Sequence, residues 1–504
     1  MVEIMDTTLR DGEQCAGVLF AEQEKLSITR LLLEDLRTDR VEVASARVSR
    51  GEYETVRKIT RWAASKGYID RIEVLGFVDG EESLQWVRSA GGKVMNLLCK
   101  GSLRHCSLQL GKTPEQHIAD IRYVLAKARE MDMVINIYLE DWSNGMKQSP
   151  DYVFQLVDAL REEPIQHFML PDTLGVLNPT QTLDFCRQMV ARYPRLRFDF
   201  HPHNDYDLAV ANAYAAVQAG ISCIHTTVLG LGERAGNAPL ASVVAVLHDQ
   251  LRVQTHIQEK EIYRVSQLIS TYSGVRVAIN QPIVGENVFT QVAGVHADGD
   301  AKGGLYMSEL KPERFGRVRE YALGKTSGKA SIKKNLEALG IDLDADTMRR
   351  LTQRITDLGD KKQQVTAADL PYILSDLLKN AHIEEKVKLC NYSLSLARGL
   401  KPVANMLVEI EGKIYQESAC GDGQYDAFMK ALWRIYDRLE KPHPKLLDYS
   451  VTIPPGGRTD AFVQTVITWD MQGYVFKTHG LDADQTEAAI KATTKMLNLI
   501  ETLK

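Results

Sequence analysis

The chain has 504 residues, 44% of them hydrophobic, and its 61 Lys plus Arg against 66 Asp plus Glu leave a formal net charge of −5. This balance argues against a nucleic-acid binder, which needs clustered cationic charge, and the apolar share excludes wholesale disorder. No apolar run approaches the ~18–20 residues of a membrane span, and the acidic N-terminus MVEIMDTTLRDGEQ lacks a secretory layout.

Seven cysteines, odd in number and without a C-x-x-C pair, read as reduced thiols of a cytoplasmic protein. The length suggests about three domains. From the N-terminus to about residue 255, short apolar runs alternate with amphipathic stretches of helical length. The strand-like runs are Ile4–Thr8, Arg40–Ser45, Ile72–Phe77, Val94–Cys99, Val134–Glu140, His167–Pro171, Phe198–His203 and Cys223–Gly230. Stretches such as Ala21–Leu36, Glu52–Ser65, Pro114–Met131, Thr180–Tyr193 and Leu208–Ala219 carry apolar residues at three- and four-residue spacing. Eight strand–helix repeats within roughly 250 residues predict an α/β fold, a (β/α)8 TIM barrel over 1–284. No G-x-G-x-x-G follows the first strand, which disfavours an open dinucleotide-binding sheet.

Residues 285–385 begin Gly-rich and polar and continue as short helices, Lys329–Leu339 and Met348–Leu358, and read as linker subdomains. From about 386 the period changes to alternation. Strands are predicted at Leu389–Leu396, Ala404–Ile410 and Lys413–Ser418, with a helix at Tyr425–Leu439. Three more follow at Tyr449–Ile453, Ala461–Trp469 and Gly473–Thr478, with a helix at Thr486–Leu503. Two β-β-β-α units predict a pseudo-symmetric α+β domain over 386–504. Its role is regulatory or oligomeric, because the chemistry of a barrel sits in the barrel's own loops.

Active residues of such barrels project from the C-terminal ends of the strands. Those ends carry Arg10-Asp11, Leu75-Gly76, Glu140-Asp141, Asp172-Thr173, the run His201-Pro202-His203-Asn204-Asp205, and GLGERAGN (230–237). Residues i and i+2 of a strand share a face, so His201 and His203 can reach one point. Two imidazoles and a carboxylate with open positions form a catalytic divalent-metal site, and Asp11 is the best carboxylate. An isolated H-x-H is more often a pair of packed histidines; HPHND on strand seven, beside acidic strand ends, tips the balance toward a metal. Arg10 can polarise a ketone beside that metal, or pair structurally with Glu13 or Asp6. Glu140 is an acid/base or metal-shell carboxylate, or a rim ion-pair partner. Asp172 can equally cap the following helix. Gly324-Lys325-Thr326 fails as a phosphate loop because Arg319 stands where its first glycine belongs. From spacing alone His296, in VAGVHADGD, is a loop histidine.

Four motifs in order, DTTLRDGEQ (6–14), HPHND (201–205), GLGERAGN (230–237) and AGVHADG (293–299), resemble the metal-dependent acyl-CoA carboligases that include 2-isopropylmalate, homocitrate and citramalate synthases. The likeness continues in GDGQYDAF (421–428) and IPPGGRTDA (453–461), which look like the allosteric domain of this group. Within it, RVEVASARVS, IEVLGFVDG and VINIYLEDWSNG look most like the citramalate synthases. The resemblance implies condensation of acetyl-CoA with pyruvate and water to (R)-citramalate and CoA, on a pyruvate route to isoleucine. The sister reading is 2-isopropylmalate synthesis from 2-oxoisovalerate on the way to leucine; an aldol-type lyase and a non-catalytic, metal-binding amino-acid sensor are further alternatives. It implies that Asp11, His201 and His203 bind the divalent metal, zinc or manganese with magnesium also admitted, and that Asn237 stands in or near its shell. The keto acid would chelate that metal, Arg10 would polarise the ketone and Thr173 would contact the carboxylate. Glu140 and His296 would share the proton work, assisted by Asp298 and Tyr306 reaching the partner subunit's site in a domain-swapped homodimer. Leu75, Leu98 and Tyr138 would wall a pocket too small for an isopropyl group. Tyr425, Asp426, Leu446, Tyr449 and Ile453 would line a site for isoleucine or, in the sister reading, leucine.

Overall fold

Each short apolar run of the first half becomes one strand of a closed, all-parallel barrel. The computed structural model describes residues 1–323, 327–338, 340–360, 365, 370, 373–374, 386–452, 463–482 and 484–502. The barrel strands are β1 (Glu3–Asp6), β2 (Arg40–Ser45), β3 (Ile72–Phe77), β4 (Val94–Lys100), β5 (Val134–Glu140), β6 (Ile165–Asp172), β7 (Phe198–Pro202) and β8 (Cys223–Thr226). They pair in sequence order, and β8 closes on β1 in parallel register. Strand seven ends one residue before the predicted His203, and two strands stop earlier still. After β1 the backbone N–H groups of Asp11 and Gly12 both turn back onto the Thr7 carbonyl. After β8 the chain enters a 3-10 turn, Val228–Gly230, with Leu229 and Gly230 both left-handed. Apolar side chains continue through the turn after β8, Val228-Leu229-Gly230-Leu231, so hydrophobicity overruns that strand end, whereas after β1 the β-branched Thr7 and Thr8 mimic strand residues.

The outer helices form where the sequence supplies caps. Ser49 accepts the Glu52 N–H at the start of Arg50–Lys66, and Gly67, at φ 77°, ends it. Thr113 with Gln116, and Asn178 with Gln181, make reciprocal capping boxes ahead of Pro114–Glu130 and Pro179–Arg192. Asn178, not Asp172, therefore caps the helix after β6. Asp172 instead accepts the N–H groups of Val176 and Leu177, both at 3.0 Å, and shapes the loop.

Alternation along the strands sorts the core. Outward residues such as Val41, Leu97, Ile137, Phe168, Phe200 and Ile224 pack under the helices. A small apolar cluster, Met5, Leu75, Tyr138, Met169 and Cys223 with Leu98 against it, fills part of the interior. The remaining inward positions are polar: Arg40, Glu42, Glu73, Asn96, Asn136, Asp199 and His225 are all buried.

The chain divides into two compact units, Met1–Thr290 with Tyr306–Glu320, and Gln291–Leu305 with Tyr321–Lys504. The second unit carries the helices Gly294–Ala301, Lys329–Ala338 and Ala345–Asp360. Leu323, Ile332, Leu336, Leu351 and Ile355 form a small apolar cluster of their own there. It also carries both predicted β-β-β-α repeats: β9 (Val387–Ser395), β10 (Val403–Ile410) and β11 (Lys413–Cys420) with helix Gln424–Arg438, then β12 (Lys445–Thr452), β13 (Val463–Met471) and β14 (Tyr474–Asp482) with helix Gln485–Thr502. Each trio is an antiparallel sheet, and Phe428, Leu432, Tyr436, Trp469 and Met496 share one core. Among the described residues no helix is long and apolar enough to cross a membrane, and all seven cysteines are free.

Candidate active site

The mouth of the barrel gathers Asp11, His201 and His203. The turn after β1 swings Asp11 inward, and β7 with the residue just beyond it presents the two imidazoles. His203 is held there by a backbone bridge to Asn237. The two imidazole Nε2 atoms stand 3.3 Å apart. Asp11 Oδ2 lies 3.0 Å from one and 3.8 Å from the other. All three side chains are buried. Burial pushes both imidazoles down to about 4, so each is neutral with lone pairs to give. Burial works against the Asp11 carboxylate, but Arg10 and the two histidines hold it well below the usual range. Asp11 Oδ1 and both imidazole Nδ1 atoms have no hydrogen-bond partner among the described residues. Two neutral nitrogens and an anionic oxygen converging in a buried cluster fit a divalent cation of the zinc or manganese class.

Arg10 pairs with Asp11 at 3.1 Å and, through Nε, with Glu42. The expected alternatives, Glu13 and Asp6, are occupied elsewhere: Glu13 pairs with Lys25, and Asp6 accepts from Thr8. Glu42 in turn accepts from Asn96 Nδ2 at 2.7 Å, and Asn96 Oδ1 accepts from Asn136 Nδ2 at 2.9 Å. A buried ladder from three strands therefore fixes the guanidinium. Its charge is secured: despite burial, Glu42 and Asp11 raise its pKa above the ordinary arginine value. The guanidinium carbon lies 5.7 Å from the Tyr138 ring centroid, and that ring meets His201 edge-on at 5.8 Å.

Glu140 ends β5 beside Lys100, which ends β4, and the two form an ion pair. His117 accepts the Lys100 backbone N–H at 3.0 Å, and Tyr152 donates to its carbonyl. Thr173 accepts the Asp141 N–H at 2.9 Å, which leaves its own hydroxyl hydrogen free to donate. GLGERAGN is a knot of backbone that seats Asn237. A Cβ at Gly232 would stand 2.3 Å from Asn237 Nδ2, and one at Gly236 would stand 1.9 Å from the Gly230 carbonyl oxygen. Arg234 clamps the knot to the strand ends by a two-pronged pair with Asp205 and a bond to the Thr173 carbonyl. Asn237 is buried, and its Oδ1 has no partner among the described residues.

The structure thus brings Arg10, Asp11, His201, His203, Tyr138 and Asn237 together, with Glu140 and Thr173 on neighbouring strand ends. Leu75 and Leu98 belong to the apolar cluster around Tyr138. His296 and Asp298 lie on helix Gly294–Ala301 of the second unit, where Asp298 pairs with Lys302; Tyr306, 43% exposed, belongs to the first unit. In the second unit Tyr425 and Tyr449 are ring neighbours at 5.4 Å, and the Tyr425 hydroxyl bonds Thr493 at 2.6 Å. Asp426 pairs with Lys430, Leu446 is partly exposed, and Ile453 lies outside the described residues. Sequence reasoning missed Glu42, Asn96, Asn136 and Lys100. The one available signal was charge at alternate positions of the strand RVEVAS.

Three family descriptions match the chain in succession: HMGL-like over residues 1–269, homocitrate synthase post-HMGL domain-like over 283–363, and LeuA allosteric (dimerisation) domain over 364–501. Among curated proteins it is similar to a putative (R)-citramalate synthase of Archaeoglobus fulgidus, 30% identical over 99% of each chain. A second putative (R)-citramalate synthase, of Methanopyrus kandleri, is 33% identical over 86% of this chain and 83% of the relative. The 2-isopropylmalate synthase of Methanocaldococcus jannaschii is 31% identical over 99% and 94%.

Proposed function

The chain belongs to the HMGL-like family, and as an acyltransferase of that family we propose that it condenses acetyl-CoA with a 2-oxo acid, pyruvate, to give (R)-citramalate and CoA. The observation that carries this reading is the buried convergence of Asp11, His201 and His203, with Arg10 locked against Asp11, at the C-terminal mouth of the barrel. Asp11, His201 and His203, with Asn237 beside them, would hold a divalent cation, which when bound supplies Lewis acidity toward a 2-oxo acid.

Arg10 is a fixed, permanently charged donor, placed to stabilise negative charge as the ketone oxygen becomes an alkoxide. Thr173 offers its hydroxyl hydrogen to the substrate carboxylate. A thioester methyl is a poor carbon acid, so a positioned base is required; Glu140 and His296 share that proton work, with Asp298 and Tyr306 assisting. The methyl proton leaves, the new carbon–carbon bond forms at C2 of the oxo acid, the alkoxide takes a proton, and water cleaves the thioester to release CoA thiol. Tyr138, Leu75 and Leu98 wall the pocket. Each extra methyl of a branched acid adds apolar contact of roughly 1–3 kcal/mol, so exclusion has to be steric. Tyr138→Ser is expected to shift preference toward 2-oxoisovalerate; unchanged relative kcat/KM counts against that role.

The barrel, 1–284, carries the chemistry, 285–385 links, and 386–504 regulates as a domain-swapped homodimer. Isoleucine would bind in the last domain near Tyr425, Asp426, Leu446, Tyr449 and Ile453, and deleting residues from about 390 onward would relieve inhibition. Titrating released CoA thiol with acetyl-CoA and either pyruvate or 2-oxoisovalerate, with and without EDTA, tests the whole reading. Pyruvate-dependent, EDTA-sensitive release is expected. Preference for 2-oxoisovalerate, with inhibition by leucine, would assign the 2-isopropylmalate activity instead, and no release with either acid would end the proposal.

A further inference from the structure

Below the mouth, Tyr138 is tied into a second layer of the barrel interior. Its hydroxyl lies 3.0 Å from His225 Nδ1, and His225 Nε2 lies 3.2 Å from Asp199 Oδ2. Asp199 Oδ1 takes His167 Nδ1 at 2.9 Å, and the Arg40 guanidinium pairs with the same carboxylate and with Glu73. Asp199 and His225 are fully buried, and Tyr138 is 2% exposed.

Hydrogen-bonding capacity fixes the direction of this chain. Arg40, His167 and His225 all face the Asp199 carboxylate, which accepts from them. With Nε2 turned to that acceptor at 3.2 Å, the neutral His225 imidazole carries its one N–H there. Its Nδ1 is then an acceptor, and the Tyr138 O–H donates to it. The hydroxyl hydrogen is thereby committed away from the mouth, and what Tyr138 presents to Arg10 and His201 is the ring. Its torsions are held at both ends: the hydroxyl by His225, and the ring by edge contacts at 5.8 Å to His201 and 5.6 Å to His225.

We infer that Asp199 and His225 are positioning residues that lock the Tyr138 ring and so set the upper size of the 2-oxo acid the mouth accepts. The inference rests on the condensing activity proposed above and adds to it the device that makes an aromatic wall rigid. Steric exclusion needs such a device, because a ring free to swing yields to one extra methyl group.

The test uses the full-length, metal-loaded enzyme and measures kcat and KM for pyruvate and 2-oxobutanoate by CoA release, in wild type, Tyr138→Phe, His225→Leu, His225→Asn and the Tyr138→Phe/His225→Leu double variant. Tyr138→Phe keeps the ring and removes the tie; His225→Leu removes the acceptor; His225→Asn keeps an acceptor near the place of Nδ1. Tyr138→Phe and His225→Leu are expected to lower the pyruvate-to-2-oxobutanoate ratio of kcat/KM about tenfold, chiefly through KM of the larger acid. His225→Asn should recover most of the ratio, and the double variant should go no further than the larger single one, since both break one link. Equal effects on both acids, or additive effects in the double variant, would overturn the inference. If His225→Leu does not fold, Tyr138→Phe decides alone by its ratio. A wild-type enzyme that releases no CoA with either acid overturns the activity, whereas an unchanged ratio across active variants overturns only the positioning role.

Discussion

Asp11, His201 and His203 at the mouth and Asp199, Cys223 and His225 beneath them offer nearly the same ligands. Each trio is buried, and within each the ligand atoms lie within 4.8 Å of one another. They differ in what already satisfies them. In the lower trio Arg40 reaches both Asp199 and Cys223, His167 and His225 occupy the remaining carboxylate positions, and Tyr138 takes the other nitrogen of His225. In the upper trio one carboxylate oxygen and both Nδ1 atoms have no partner among the described residues, and the two Nε2 atoms face each other beside the other carboxylate oxygen. A guanidinium fills the lower trio as an internal cation; the upper one has its cation at the edge and an open centre. Buried polar groups left unpaired cost about 1–3 kcal/mol each. A fold that brings two imidazole Nε2 atoms and a carboxylate oxygen to one point with no cationic side chain of the described residues at its centre, while filling the same residue types with a guanidinium one layer down, leaves that point suited to a cationic ligand.

The largest effect that could break this contrast is loss of the metal. Asp11→Ala is expected to abolish stoichiometric zinc or manganese by elemental analysis and to cut turnover by about 10³-fold or more, since Lewis-acid stabilisation is worth several kcal/mol. EDTA treatment of wild type should match it, and re-addition should restore only the wild type. Full metal content in Asp11→Ala would make the two trios equivalent. The lower trio should answer differently. Arg40→Met leaves Asp199 and Glu73 as uncompensated buried charges, an expected cost of about 3–5 kcal/mol in stability by urea unfolding, with metal stoichiometry unchanged in the folded fraction. A gain of a second equivalent of metal in that variant would show that the guanidinium was only a placeholder.

The acid limit sharpens the comparison, because ligand protonation has to be separated from unfolding of the barrel. His117 lies outside both trios and supports the end of β4. Burial pushes it down to about 4, with Lys112 and Lys100 adding to the effect and Asp120 opposing it. An imidazole held neutral in the fold, with an ordinary value near 6.5 when unfolded, contributes stability that is complete above about 6.5 and is lost as pH falls toward 4. The expected loss is about 3 kcal/mol across that window, read by urea titration in EDTA. His117→Gln, which retains an acceptor for the Lys100 N–H, should flatten that slope. An unaltered slope would assign the acid limit to other groups.

Much of this was legible in the sequence, for physical reasons that differ by element. Eight apolar runs separated by amphipathic stretches specify strand and helix by period, and the barrel follows from their number. His201 and His203 were legible because two-residue spacing on a strand puts side chains on one face, and Asp11 because strand ends cluster at one rim. The supports were not. Glu42, Asn96 and Asn136 meet only after the barrel closes, so no spacing along the chain announces that they hold Arg10. The Lys100–Glu140 pair likewise depends on the register between β4 and β5. The strand end at Gly230 was overrun because the turn there is itself apolar, and that at Thr8 because threonine suits a strand as well as a turn. His296 and Asp298 entered through resemblance to relatives, and the fold places them on a helix of the second unit.

The smallest predicted effect probes how the upper trio keeps its shape. GLGERAGN reads as a glycine-rich stretch of no specific chemistry, yet its middle glycine is constrained twice. Gly232 adopts φ 154°, a conformation L side chains rarely take, and a Cβ there would stand 2.3 Å from Asn237 Nδ2. Asn237 cannot retreat easily, because its backbone bridges His203 and its Nδ2 donates to the Leu231 carbonyl at 3.1 Å. Gly232→Ala should therefore displace the Asn237 amide and, through the bridge, the His203 imidazole, without touching Asp11 or His201. Outer-shell changes of this kind cost about 10–100-fold in metal affinity, and the expected loss is at the lower end because only one ligand is disturbed. Metal titration of the apo-enzyme measures it directly, and the lower trio supplies the control. Arg40 and Asp199 lie outside the loop, so the urea midpoint of apo Gly232→Ala should fall far less than that of Arg40→Met. Equal losses of stability in the two variants would mean that the loop supports the barrel as a whole and not the cation site.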